Sequence, residues 1–249
     1  GRRLAVKLLN ASKFVLRFAE LDDEAAVEVE RREQALRTGL DTGAVPAGVT
    51  ELLDRSMLHR LADLVDETTR ALDAFDYARA LERTESFFWA FTDDHIELVK
   101  SRAYGEHGAG AAVSARLSLR AALRVLQQLF APFMPFVAEE VWRWWHTSSV
   151  HASTWPESSR LRAAAGDAGP LPGTVAAAVL GEVRRAKSEA KRPLRTEVLR
   201  AEVADTAERI AVLAEVADDV RAAGRVSELV TAEGPELSVA CELAPEAAA

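Results

Sequence analysis

Leu4, Leu8, Ala11, Val15 and Phe18 follow one another at alternating spacings of four and three residues, which places them on one face of an α-helix. The spacing predicts a core-facing helix over 1–17. One step around that helix, Arg3, Lys7, Asn10, Phe14 and Arg17 repeat the same rhythm, so three cations, an amide and a phenyl ring share a second stripe. No acid precedes Glu20 to neutralise it. Unpaired bases stack on aromatic rings for about 1–3 kcal/mol each while cations meet phosphates, so the stripe is a candidate surface for single-stranded nucleic acid. The plainer alternative makes Phe14 an edge residue of the core and the cations a solvated helix face.

The rest of the chain divides into two parts. Leu21 to Leu36 mixes acid and base without a clean apolar stripe, and Thr38 to Val49 collects Gly39, Gly43, Pro46 and Gly48, so 21–49 reads as a linker or a frayed helix ending in a loop. Helical period returns in Leu53, Met57, Leu61, Leu64, Val65, Thr68 and Leu72, predicting a helix over 51–75. Asp76 is a plausible cap for a third helix running to about Arg102. Gly105 to Gly110 breaks it. A fourth helix, 111–130, carries Leu119, Leu123, Leu126, Leu129 and Phe130 inward, and a short apolar fifth starts at Pro135, where a helix needs no amide donor.

Residues 157–173, rich in Ser, Ala, Gly and Pro, read as a linker. The composite is a mainly α chain: an antiparallel helical bundle over 1–160, a linker over 161–173 and a small αβαββ module over 174–249. The module comprises a helix over 174–190, a strand over 197–203, a helix ended by Gly224 and two strands over 225–232 and 236–243. The last strand alternates Leu237, Val239, Cys241 and Leu243 against polar neighbours.

Charge narrows the reading. Thirty-nine acids against 31 Lys and Arg give a net charge of −8, which argues against a generally basic nucleic-acid binder and leaves any RNA contact to local stripes. The one cysteine, Cys241, excludes an intramolecular disulfide and cysteine-based zinc sites, as in a reducing cytoplasm. No apolar run approaches the ~20 residues of a membrane span, so the chain reads as soluble and cytoplasmic. Opening inside a helical pattern without a start methionine points to a piece of a longer protein. The five histidines show no metal-ligand spacing, so no metal site is expected. Ser188-Glu189-Ala190-Lys191 matches an acyl-transfer pattern without its partner motifs and is set aside. Asp93 and Asp94 point about 100° apart on a helix and do not share a proton.

The run Lys7-Leu8-Leu9-Asn10-Ala11-Ser12-Lys13-Phe14-Val15-Leu16 resembles the helix that opens the anticodon-binding domain of valyl-tRNA synthetases, with Val6 for the family's usual Asn and Lys13 for its usual Arg. Phe87-Phe88-Trp89-Ala90-Phe91-Thr92-Asp93-Asp94-His95-Ile96-Glu97 is similar to a second family helix, with one residue fewer between Trp89 and Phe91, Thr92 for Cys and His95 for Tyr. His151-Ala152-Ser153-Thr154-Trp155-Pro156 is similar to the element that closes the bundle in class I synthetases of the valine, leucine and isoleucine group. The resemblance implies recognition of tRNA(Val), with Phe14, Lys7 and Ile96 near the anticodon loop, Arg3 and Arg17 on phosphate, and Asn10 on a base edge or a backbone group. It implies no DNA, no membrane and a monomer.

By residue pattern alone, Phe87, Phe88, Trp89 and Phe91 read as core. A third basic run, Arg184, Arg185, Lys187, Lys191, Arg192 and Arg195, is a candidate tRNA-backbone contact, although cations at a helix C-terminus are also favoured by its dipole. The histidine turn and lysine-rich loop that hold ATP in such synthetases are absent, so no cofactor is expected on this chain. ATP and magnesium belong to a catalytic domain elsewhere, and the chain alone is expected to be inactive. An isoleucyl- or leucyl-type synthetase, or a helical protein-interaction module without RNA binding, stays open beside this reading.

Overall fold

In the computed structural model, residues 2–20, 23–37, 45 and 47–245 are described. The bundle comprises α1 (Arg2–Leu16), α2 (Glu24–Arg37), α3 (Leu52–Asp73), α4 (Tyr77–Ala90), α5 (Ile96–Ala103), α6 (Ala109–Phe130) and α7 (Pro135–Trp142). α6 is its axis. From Ala112 to Phe130 almost every side chain of α6 is buried, including Leu117, Leu119, Leu123 and Leu126. A helix buried nearly all round belongs in the centre of a bundle, and α1, α2, α3, α4, α5 and α7 all pack on it. Asp76 caps α4 by accepting from the Arg79 backbone N–H at 3.0 Å, as its position predicts. Gly105 and Gly108 take left-handed φ values of 88° and 89° in the turn before α6.

Of the two readings of 21–49, a linker or a frayed helix ending in a loop, the helix is found as α2 over Glu24–Arg37, whereas residues 38–44 and 46 lie outside the described part. Among its described side chains the buried apolar ones are Ala25, Ala26 and Val29, and ion pairs add to its anchoring. Arg116 of α6 grips Asp23 with two bonds of 2.6 and 2.7 Å, and Arg120 pairs with buried Glu33. Asp23 also caps α2 through the Ala26 N–H, and the Arg116 hydrogen bonds hold its carboxyl below the usual range. A helix whose acids are matched by arginines 87 and 93 residues away leaves no local periodic signal.

The expected single helix over 77–102 is continuous but carries a five-residue π-helical turn at Phe91–His95 between α4 and α5. The wider turn keeps Phe91, Thr92 and His95 buried while Asp93 and Asp94 face outward. The expected linker also differs: Ser158–Ala165 is α8, which buries Leu161 and Ala165 against α3 and pairs Arg162 with Asp63 and Asp66.

α9 (Leu171–Glu189) then opens the α/β part, followed by β1 (Val198–Asp205), α10 (Ala207–Glu215), α11 (Ala217–Gly224), β2 (Val226–Glu233) and β3 (Ser238–Leu243). The expected single crossover helix is broken at Val216 into two. The sheet order is β2-β1-β3, with β1 parallel to β2 and antiparallel to β3, Val203 facing both Thr231 and Val239. α9, α10 and α11 cover one face. The protein is therefore a mainly α bundle followed by a small α/β module, and one hydrophobic core runs through both: Val175, Val179 and Leu180 of α9 and Val220 of α11 join Leu58 and Leu98 of the bundle.

Arg102 of α5 fastens that junction. It donates to Asp54 of α3 at 2.7 and 3.1 Å and to Asp219 of α11 at 2.7 Å, while Ser114 of α6 donates to Asp54 at 2.7 Å.

Candidate nucleic-acid interface

α1 buries Leu4, Leu8, Ala11, Ser12 and Val15, so its neighbouring stripe lies at the surface by geometric necessity. Arg3 lies 5.1 Å from the centre of the Trp89 ring, and Lys7 lies 5.7 Å from the same ring. Arg17 donates to the Tyr104 hydroxyl at 3.0 Å. Asn10 is exposed. Phe14 is half-buried: its ring meets Phe18 and Tyr104 edge-on, at 5.2 and 6.3 Å, with the Lys100 ammonium 5.7 Å away. The ring is thus neither enclosed nor free. Packing on two rings fixes its orientation while part of it stays open, with cations at its rim.

Of the three cations of the stripe, Lys7 alone meets a carboxylate among the described residues, Asp93 at 2.7 Å. Both side chains are substantially solvated, at 34 % and 52 % exposure, and such a pair is worth only about 0–1 kcal/mol. A phosphate oxygen can replace that carboxylate at little cost.

The π-turn ties this stripe to the third basic run. Arg184 of α9 donates to Asp94 at 2.8 Å and to the Asp93 carbonyl at 2.7 Å. Lys7 and Arg184, 177 positions apart in sequence, therefore line one groove of about 770 Å³ between α1 and α5 on one side and α9 and α11 on the other. Lys100, Tyr104, Arg195 and Arg225 line it too. Linear pattern singled out neither Lys100 nor Tyr104, because their role arises from contact with Phe14 and Arg17 across the fold.

Two residues expected at the interface are buried instead. Ile96 is 5 % exposed and packs in the core, since the π-turn before it sets the register that turns Asp93 outward and Ile96 inward. Lys187 is 2 % exposed and donates to the carbonyls of Leu194 and Gly224 at 3.0 and 2.7 Å. Burial, helped by nearby Arg225 and Arg184, pushes its ammonium below the ordinary lysine range. It is a brace, and Lys187→Ala, which strands those carbonyls, should lower stability by about 1–3 kcal/mol in urea titration. Arg185 is exposed and bonded along its own helix to Glu182 and Glu189; Lys191 is exposed at the end of α9.

Among the described residues no three His, Cys, Asp or Glu side chains are grouped to hold a metal, and no helix is long and apolar enough to cross a membrane. The cations and rings of this surface suit binding of a stacked, phosphate-bearing ligand.

Comparison with known proteins agrees with that reading. Residues 54–204 match the family model described as the anticodon-binding domain of tRNA ligase. The chain is similar to the valine–tRNA ligase of Thermobifida fusca, 49 % identical over 247 residues, covering 98 % of this chain and 26 % of that protein. It is also similar to those of Leifsonia xyli, 46 % identical with 96 % and 25 % covered, and of Salinispora tropica, 45 % identical with 94 % and 27 % covered. The chain thus spans about a quarter of the length of the curated relatives it matches. With its bundle, its basic-aromatic stripe and this match, the chain belongs to the family of anticodon-binding domains of tRNA ligases, and the resemblance of its opening helix to valyl-tRNA synthetases extends over nearly its whole length.

Proposed function

We propose that this chain is the tRNA-recognising part of a valine–tRNA ligase, acting as a monomer in the cytoplasm and presenting tRNA(Val) to a catalytic domain elsewhere in the longer protein. The observation that carries the reading is the surface stripe of α1, in which Phe14 is held edge-on by Phe18 and Tyr104 between cations that have weak or no carboxylate partners among the described residues. Phe14 stacks on an anticodon-loop base, and Asn10 meets a base edge. Arg3, Lys7 and Arg17 neutralise phosphate, with Arg184, Arg185 and Lys191 along the backbone that follows. Neither ATP-holding motif of a class I synthetase occurs in the chain. ATP and magnesium are therefore handled outside it, and no step of adenylation is assigned to these residues.

Titration of labelled tRNA(Val) tests the reading. Phe14→Ala should weaken binding by about 1–3 kcal/mol through lost stacking. Lys7→Ala should weaken it less and flatten the dependence of log affinity on log salt by about 0.7–0.9. Unchanged affinity in both variants would remove α1 from the interface.

A further inference from the structure

We propose that Arg195 and Arg225 form a second phosphate-contacting pair on the groove wall opposite α1, so that the α/β module as well as the bundle grips the RNA backbone. The proposal rests on the tRNA reading above and gives the module a task in it.

Position is the first support. Both arginines line the 770 Å³ groove that holds Lys7, Lys100 and Arg184, and both also line an adjoining groove of about 660 Å³ that holds His107 and Arg221. They stand where the two grooves meet, in a trough across the bundle–module junction whose cations are interspersed with Asp93, Glu97, Glu106, Glu197 and Asp218.

Pairing is the second. Lys7, Lys100 and Arg184 each have a carboxylate within 3.0 Å, namely Asp93, Glu97 and Asp94. Among the described residues, neither Arg195 nor Arg225 has one, and both are exposed. Of the acids lining the second groove, Glu197 accepts from the Ser227 hydroxyl at 2.7 Å, and Asp218 faces Arg221 at 3.5 Å. A cation with no carboxylate in contact is the one an incoming phosphate pairs with without displacing a partner.

Backbone conformation is the third. Arg225 ends α11 with φ 54° and ψ 48°, the left-handed region that glycine occupies without cost. The glycine of this turn sits one position earlier: Gly224 is buried, and a Cβ there would lie 3.0 Å from Val226. The chain thus puts a long cation in a left-handed position where glycine would be easier. Attraction to the C-terminal dipole of α11 accounts for a cation nearby but not for this backbone choice.

The geometry supplies its own test. Arg225→Gly suits the native backbone, so the midpoint of urea unfolding should stay or rise. Affinity of the 249-residue chain for labelled tRNA(Val) should nevertheless fall about three- to tenfold at low salt, with the log–log salt slope flatter by about 0.7–0.9. Arg195→Gln, a change in an exposed loop, should give a similar loss, so the reading does not hang on one variant. Unchanged affinity in both, or lost affinity with an unchanged salt slope, overturns the pair while leaving the α1 interface standing. Failure of the unaltered chain to bind tRNA(Val) overturns both readings.

Discussion

Arg102→Ala should destabilise the protein by about 3–5 kcal/mol, because removing one member of a buried ion pair leaves its partners charged and unpaired. Asp54 is fully buried and would keep only the Ser114 hydroxyl, while Asp219 would lose its cation. Burial opposes the charge on Arg102, yet the two carboxylates more than offset it and hold the guanidinium above its ordinary range. Burial likewise pushes the Asp219 carboxyl up against the pull of Arg102. The geometry is therefore a pin of specific shape: one planar guanidinium bonds α3 with one edge and α11 with another. Arg102→Lys should rescue little of the loss, since an ammonium cannot reproduce the fork. Denaturant unfolding reads the effect, and a loss below about 1 kcal/mol would show that the three helices are held by apolar packing alone.

Acid should weaken the protein through His95. The ring lies in the π-turn, stacked on Phe91 at 6.0 Å, and its Nε2 is buried with no hydrogen-bond partner among the described residues. Burial pushes its pKa from 6.5 to about 4; Asp54 opposes the drop, and Arg102 and Arg60 add to it. The folded protein thus keeps the ring neutral while the unfolded chain takes up a proton near pH 6.5. Between those values the unfolded state binds more protons, so this contribution to stability is complete above about pH 6.5 and is lost as pH falls toward 4. A shift of this size corresponds to about 3 kcal/mol at pH 4. Asp23 and Asp66, whose carboxyls are held low in the folded state, add to acid sensitivity in any variant. The informative quantity is the difference in unfolding free energy between the native protein and His95→Gln, followed from pH 7 to 4. That difference should shrink or reverse by about 3 kcal/mol as pH falls, and parallel curves would mean that folding does not lower the pKa of His95.

The candidate interface is partly legible in the chain. α1 declared both its faces through four-and-three spacing, because a helix closes on itself every 3.6 residues and neighbours in space are neighbours in sequence. Asp76, Pro135 and Gly105 announced element boundaries for equally local reasons. Ile96, which the resemblance puts near the anticodon loop, is buried because the π-turn before it sets its facing, and no composition marks such a turn. Lys187 was misread because a lysine's surroundings, two carbonyls from Leu194 and Gly224, lie outside its own helix. α2 reads in the chain only as a linker or a frayed helix, since its anchors are Arg116 and Arg120.

What the sequence by itself determined is the set of surfaces each helix has to hide, and with them the bundle, the alternating last strand and the basic-aromatic stripe. Only the tertiary structure decided which charges answer one another: Lys7 with Asp93, Arg184 with Asp94, Arg102 with both Asp54 and Asp219. Periodicity records burial, which each element carries along its own length. Ion pairing between elements depends on distances that exist only after the helices have packed, and so does the groove that joins α1 to α9.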